Sequence, residues 1–290
     1  MIDAQRILLN WQHSMVTPKA VRDYIVLAVL LLLTFGLDVA MHRNWRRYFS
    51  RFFLTDFTYY VVYYGGFYAI LYSPLGRALN SSVDSHLPFL RLGALRTLPL
   101  PVQVIAFIVA SDFLSYWQHR WMHVSPALWS IHKIHHSQEQ MTIFTNYRFH
   151  LLEETFRRLF GFIPFVILGV GPAVWVWADL VMLWILLMQH SGMHWTYGWL
   201  DRIFVSPRYH EVHHAMDAEM HDHNYGVLFS FWDRLFGTRD EVHVSTDRYG
   251  VEPAIPEGFW PQMLVPVQEW VAQFHSRKRS SPPQPSNKPT

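Results

Sequence analysis

The 290-residue chain contains no cysteine. Disulfides, zinc–thiolate sites and iron–sulfur clusters are therefore excluded, and any metal must be held by nitrogen and oxygen. Charge is also scarce. Asp, Glu, Lys and Arg make up 16% of the chain, against about 25% in an average soluble domain. The net charge of +2 with neutral histidines gives no reason to expect a nucleic-acid partner. No G-x-G-x-x-G stretch and no haem- or flavin-binding pattern is present, so any electrons used must arrive from a separate protein. The N-terminal "MIDAQRILLNWQHSM" lacks the basic start, apolar core and small-residue site of a cleavable signal peptide.

Apolar residues fill the space that charge leaves. They make up 51% of the chain, with 17% aromatic, which points to a membrane protein. The mean hydropathy is only +0.06, so much of the chain still meets water. A bilayer-spanning helix needs roughly 20 mostly apolar residues. Single candidates lie at residues 23–41, 52–72 and 98–117. A fourth apolar region, 159–189, is too long for one ordinary span and is interrupted by "GVGP" at 169–172. Gly and Pro break helices there, so it reads as a helical hairpin that enters and leaves on one side. Residues 118–158 and 190–250 then share one face of the membrane. Arg43, Arg46, Arg47 and Arg51 fall between the first two spans and place that face in the cytoplasm. Arg77, Arg91 and Arg96 fall on the other side.

These readings give an all-α integral membrane protein. It has about four membrane-spanning helices or hairpin arms and a cytosolic helical cap holding a histidine-rich dimetal site. Residues 1–97 form N-terminal membrane helices and a loop, and 98–250 form the domain that carries the grouped histidines. Residues 251–290, ending in "SRKRSSPPQPSNKPT", form a polar, partly disordered tail.

Eighteen histidines are present, and ten sit in four groups. His119 and His123 form H-x-x-x-H, His132, His135 and His136 form H-x-x-H-H, His190 and His194 form H-x-x-x-H, and His210, His213 and His214 form a second H-x-x-H-H. On a helix, positions i, i+3 and i+4 share one face, so each group can aim its imidazoles at one spot. The first pair continues the third span and the third group continues the hairpin's second arm, just past the bilayer boundary. His13, His42, His86, His243 and His275 are isolated and read as ordinary surface residues. The grouped ten do not. Packed together without cargo, they would leave buried nitrogens unpaired at about 1–3 kcal/mol each. A metal removes that cost, because neutral imidazole is a common ligand. Ten nitrogens exceed the four of tetrahedral zinc, so two ions, each taking four or five, fit better.

The stretches "DFLSYWQHRWMH", "LWSIHKIHHS", "YRFHLLEE", "QHSGMH", "RYHEVHH" and "NYGVLFSFWDRLFGT" resemble the fatty acid hydroxylase / sterol desaturase superfamily of integral-membrane, histidine-rich di-iron oxygenases. The resemblance covers residues 105–240. It implies two iron ions held by His119, His123, His132, His135, His136, His190, His194, His210, His213 and His214. It also implies O2 as co-substrate, hydroxylation or desaturation of a sterol-like or fatty-acyl lipid, and a cytochrome b5-like or ferredoxin-like electron donor. Catalytic residues beyond the metal ligands, and substrate-binding residues, stay unassigned.

Ligand imidazoles need acceptors for their free N–H. Asp112, two helical turns before His119, is the first candidate, followed by Asp222 and Asn224; His150, His221 and His223 are support or replacement ligands. Glu153 and Glu154 read as partners of Arg157 and Arg158 one turn on. Phe107, Phe113, Trp117, Trp175, Trp177 and Trp184 offer apolar walls for a chain entering from the bilayer. Arg120, Lys133 and Arg148 offer positive charge for an acidic donor.

Two other readings compete. "HEVHH" at 210–214 spells H-E-x-x-H, the zinc-protease pattern, with His210 and His214 on zinc and Glu211 as base. A histidine-rich metal transporter would use ionisable groups within the spans, of which Asp38, Asp56, Asp112 and Asp179 are the candidates.

Overall fold

The computed structural model describes residues 18–42, 45–93, 95–217, 220–240 and 248–280. The N-terminal stretch, His13 and His243 lie outside them. Among the described residues the chain is helical, and its extended pairing is limited to two isolated bridges, Phe204 with Phe229 and Ala215 with Tyr249.

In chain order the helices are α1 (Pro18–His42), α2 (Arg51–Val62), α3 (Ser73–His86), α4 (Leu100–Val124), α5 (Pro126–His136), α6 (Leu151–Leu168), α7 (Pro172–Gln189), α8 (Pro207–His213), α9 (Phe231–Leu235) and α10 (Phe259–Ser280). A π-helical run, Tyr63–Tyr72, carries α2 into α3. Helices α4 and α7 are long and apolar enough to cross a membrane, and α1 contains a shorter apolar stretch, Ile25–Met41. The break expected at "GVGP" is present: Gly169 caps α6 in the left-handed region, and Pro172 opens α7.

Helix α4 is the central element and packs against α5, α6 and α7. Its junction with α5 is a one-residue hinge. Ser125 precedes Pro126, is barred from the helical region by the proline ring, and is extended (φ −97°, ψ 117°). Pro126 then starts α5 at a position where its missing N–H costs nothing. The chain turns there, and the last turns of α4 meet α5.

Two buried ion pairs tie the N-terminal helices to loops around the histidines. Arg47 binds Asp38 and donates to Ser191 O at 3.0 Å. Arg148 binds Asp56 at 2.5 Å and Glu257 at 3.2 Å. These contacts correct two readings. Arg148 is fully buried and is no surface charge for a donor. Arg47 is likewise inside, so it is not one of the free basic charges that orient a loop.

The C-terminal region also differs from its sequence reading. Phe259–Ser280 is a helix whose Phe259, Gln262 and Val265 are buried, with α10 against α2 and α5. The polar composition of the final residues masked the apolar positions before them. Residues 281–290 lie outside the described ones.

Removing one partner of a buried ion pair leaves the other charge uncompensated, at about 3–5 kcal/mol. Asp56→Ala is therefore expected to lower the thermal midpoint of the detergent-solubilised protein by several degrees, whereas Asp84→Ala, at an exposed pair with Arg91, leaves it within about a degree. Equal midpoints for the two variants would contradict this role.

Candidate metal centre

The four histidine groups reach one place by different routes. His119 and His123 lie on the last turns of α4, and His132, His135 and His136 on α5 beyond the Ser125 hinge. His190 caps α7. His210 and His213 lie on α8, which Ser206 starts by accepting the Tyr209 N–H at 3.3 Å, and His214 caps it.

Nine of the ten rings fall into two clusters. His119, His123, His132, His136 and His213 form one; His135, His190, His210 and His214 form the other; in each, the candidate ligand atoms lie within 4.8 Å of one another. His194 belongs to neither. The sequence reading assumed that the helix of His190 runs on to residue 194. Instead α7 ends at Gln189, Gly192 adopts φ 70° and His194 itself φ 48°. The reversal leaves the His194 side chain 48% exposed, its Nδ1 2.8 Å from a Glu211 carboxylate oxygen.

The hydrogen bonds decide where the lone pairs point. Nδ1–H of His119 donates to Tyr225 O at 2.8 Å, that of His213 to His223 O at 2.8 Å, and that of His132 to Glu153 Oε1 at 2.6 Å. A carbonyl or carboxylate only accepts, so each Nδ1 carries the proton and each Nε2 is a bare lone pair. In the first cluster the Nε2 atoms of His119, His123, His132, His136 and His213 are all buried without a partner. In the second, Nδ1–H of His190 donates to Leu186 O at 2.8 Å and that of His135 to Arg148 O at 3.3 Å. Their Nε2 lone pairs then face each other at 3.2 Å. His210 Nε2 lies 3.0 Å from His190 Nε2 and 3.0 Å from His214 Nε2. Ligands at right angles on an ion with metal–nitrogen bonds of about 2.1 Å sit about 3.0 Å apart. The donor set therefore fits a cation in each cluster.

Burial favours the neutral form that a metal needs at most of these rings. Burial and neighbouring imidazoles hold His135, His136, His210 and His214 well below the usual histidine range. Burial lowers His190 to about 4 and His213 to about 3.

The expected supporting residues do something else. Asp112 accepts from Leu228 N at 2.7 Å, Phe229 N at 3.1 Å and Trp232 Nε1 at 2.9 Å, and so fastens a loop to α4 rather than holding an imidazole. Asn224 accepts from Asp240 N at 2.9 Å. Asp222 is 3.7 Å from His123 Nδ1, beyond a hydrogen bond, and its side chain is mostly exposed. His150 caps α6 by accepting the Leu152 N–H. His223 contributes its backbone carbonyl to His213, and His221 its carbonyl to the His223 ring. Glu154 binds Arg157 and Arg158 as expected, but Glu153 turns to His132.

Residues not singled out in the sequence carry much of the support. Asp233 accepts from Tyr225 N at 2.7 Å, Gly226 N at 2.8 Å, Thr238 Oγ1 at 2.8 Å and Tyr209 Oη at 3.0 Å. Burial pushes its carboxyl up to about 6, against the pull of these donors. Asp233 thus fixes the loop whose carbonyls orient His119 and His213. Gly226 has no alternative there: a Cβ would lie 2.7 Å from Asp233 Oδ2 and 2.7 Å from Phe229 O. The closing "NYG…WDRLFGT" was the available signal, although its spacing alone does not say which groups bond.

A cavity of about 250 Å³ opens beside the clusters, bounded by α4, α6, α7 and the π-helical run. His119, His132, His135, His190 and His210 form one end. Phe107, Ile108, Trp175, Met182, Leu183 and Leu186 line its apolar walls. Of the aromatic walls anticipated, Phe107 and Trp175 are in place, 5.6 Å apart. Phe113 packs on Trp232 and Trp117 on Phe236, and Trp177 is exposed.

Neither competing reading gains support. His210 and His214 sit in a four-histidine cluster, and Glu211 is bonded to His194 and Arg208 rather than free to act as a base. Asp38, Asp56 and Asp112 are committed to Arg47, Arg148 and donors between Leu228 and Trp232, and Asp179 lines the cavity.

Two clusters of histidines that could each hold a metal ion lie at one end of a mainly apolar cavity. A family model described as Fatty acid hydroxylase matches residues 104–238. An ornithine lipid hydroxylase from Rhizobium tropici is 32% identical over 169 residues, 58% of this chain and 51% of the relative. An alkylglycerol monooxygenase from Caenorhabditis elegans is 28% identical over 48% of this chain and 28% of the relative. A methylsterol monooxygenase from Arabidopsis thaliana is 27% identical over 52% of this chain and 55% of the relative. The matched region thus spans about half, or less, of these relatives. No solved structure gives a significant match. Residues 104–238, a little under half of the chain, are thus similar to the fatty acid hydroxylase family.

Loss of an outer partner to a ligand histidine typically weakens metal binding by 10–100-fold. Glu153→Gln keeps the shape but removes the carboxylate behind His132, and is expected to fall in that range in a competitive chelator titration. Unchanged affinity would show that the contact is not part of the metal site.

Proposed function

We propose that this chain is a membrane-bound di-iron oxygenase that hydroxylates or desaturates a lipid. Electrons come from an external donor protein. The observation that carries the reading is the set of buried imidazoles that converge in two clusters at the head of a mainly apolar cavity, five of them with Nδ1–H tied to an acceptor. The matched relatives are named for hydroxylation or monooxygenation of ornithine lipids, alkylglycerols and methylsterols, which favours a lipid substrate and a redox metal.

His119, His123, His132, His136 and His213 would hold one iron, and His135, His190, His210 and His214 the other. Two bound irons would supply activation of O2 for removing hydrogen from an unreactive C–H bond, with hydroxyl return giving hydroxylation and loss of a second hydrogen giving desaturation. Overall hydroxylation consumes the lipid, O2, two electrons and two protons, and gives the alcohol and water. The residues of the chain do the rest. Carbonyls at Tyr225, His223, Leu186 and Arg148, with Glu153, fix the rings and hold metal positions rigid against the substrate. Phe107, Trp175 and Leu183 would give a lipid chain apolar walls beside the reacting carbon.

The membrane part comprises α4 and α7, together with α1, the α2–π segment and α6. The metal cap faces the cytoplasm, supported by the exposed Arg46 and Arg51 between the first two apolar segments. The donor face is reduced to Arg120 and Lys133. Lys133 is already paired with Glu269 at 2.7 Å, so Arg120 carries more of it; Arg120→Glu is expected to raise the donor's Michaelis constant, and an unchanged value would rule that face out.

Purified protein is expected to contain about two irons per chain. Comparison of lipid extracts from cells with and without the gene should show a mass gain of one oxygen or a loss of two hydrogens. His135→Ala should abolish that change. Metal-replete protein that leaves every lipid unchanged in the presence of a working donor would contradict the oxygenase reading.

A further inference from the structure

Helix α10 packs one side on α2 and α5, yet its other side is apolar and open. Trp260, Leu264, Val267, Val271 and Phe274 are each more than half exposed. At 100° per residue they fall within an arc of about 80°. Scattered apolar surface residues are ordinary, but five large ones aligned along four turns are not. Gln268, Ala272 and Ser276 lie beside this stripe and are also exposed.

The position of the helix identifies what covers the stripe. Trp270 Nε1 donates to Ala127 O at 2.9 Å, Gln273 Nε2 to Ser130 Oγ at 3.4 Å, and Glu269 binds Lys133 at 2.7 Å. Ala127 is three residues past Val124, the end of the membrane-length helix α4. The second half of α10 is therefore fastened where the chain leaves the apolar layer, and the outward side chains there, Trp121 and Val124, are exposed and apolar as well. Helix α10 carries too many polar residues to cross a bilayer and is not one of the helices that are apolar enough among the described residues. Its sequence ends in Arg277, Lys278 and Arg279, a charge that matches anionic headgroups. A narrow apolar stripe with Trp and Phe, a polar flank and a basic end is the pattern of a helix lying in the membrane interface.

We propose that α10 is an interfacial membrane anchor: it lies along the lipid surface with Trp260, Leu264, Val267, Val271 and Phe274 in the headgroup–acyl boundary. Through its bonds to Ala127, Ser130 and Lys133 it holds α5, the helix of His132, His135 and His136, against the bilayer. This goes beyond the oxygenase reading and stands whatever reaction the metals perform.

The absence of cysteine gives a direct test. Single substitutions Leu264→Cys, Val271→Cys, Gln268→Cys and Ala272→Cys are labelled with a nitroxide in the full chain. The labelled proteins are reconstituted in vesicles of phosphatidylcholine and phosphatidylglycerol. Ile105→Cys, exposed on α4, serves as the reference inside the bilayer. At Leu264 and Val271 collisions with dissolved oxygen should exceed those with a water-soluble nickel chelate severalfold, as at Ile105, with the order reversed at Gln268 and Ala272. Nickel-dominated collisions at Leu264 and Val271 beside a lipid signal at Ile105 would overturn the anchor alone. Labels that are immobile and shielded from both reagents would overturn it in favour of a second copy or a protein partner. A nickel-dominated signal at all sites would overturn it together with the membrane placement of α4.

Discussion

The structure depends on a single directional constraint: each supporting acceptor takes the Nδ1 proton, and the Nε2 lone pair is left to point inward. The lone pairs of His135 and His190, facing each other at 3.2 Å, repel unless a cation lies between them. Burial removes the water that would relieve them. Much else in the fold serves to supply those acceptors at the right places. The Asp233 network fixes Tyr225 and His223, the Asp112 contacts fasten the following loop to α4, and the Arg148–Asp56 pair locates the carbonyl that holds His135.

That arrangement links the N-terminal helices to the histidine clusters. Asp38 on α1 and Asp56 on α2 are acidic groups within apolar segments, costly to bury alone. Each is matched by an arginine that also reaches the site: Arg47 bonds Ser191 beside His190, and Arg148 offers its own carbonyl to His135. The N-terminal helices are thereby registered against the histidine groups. The cavity has the same logic, with imidazoles at one end and Phe107, Trp175 and Leu183 along the walls. On the proposed reading a lipid tail would gain by burial there, with its reacting carbon beside the histidine clusters.

The histidine spacings were legible because helical periodicity alone turns i, i+3 and i+4 to one face, and α4, α5 and α8 are helical at those positions. His194 was not legible, since a Gly192 at φ 70° reverses the chain and no periodicity rule anticipates that. Asp112 shared a helical face with His119, but three donors from Leu228, Phe229 and Trp232 claim it. Such long-range contacts leave no local trace. The same holds for Arg148, which read as surface charge until Asp56, 92 positions away, was seen beside it. Glu153 and Glu154 are adjacent and chemically equal, yet one faces arginines and the other a ligand ring; only the three-dimensional packing separates them. Helix α10 was obscured by composition, because basic and proline-rich final residues outweighed a regular apolar stripe.

The most direct test of the central claim is anomalous diffraction at the iron absorption edge from crystals of the iron-loaded protein. The account predicts two peaks per chain, one among the Nε2 atoms of His119, His123, His132, His136 and His213, the other among those of His135, His190, His210 and His214. A single peak, or a metal seated on His194 and Glu211 with either cluster empty, would contradict it.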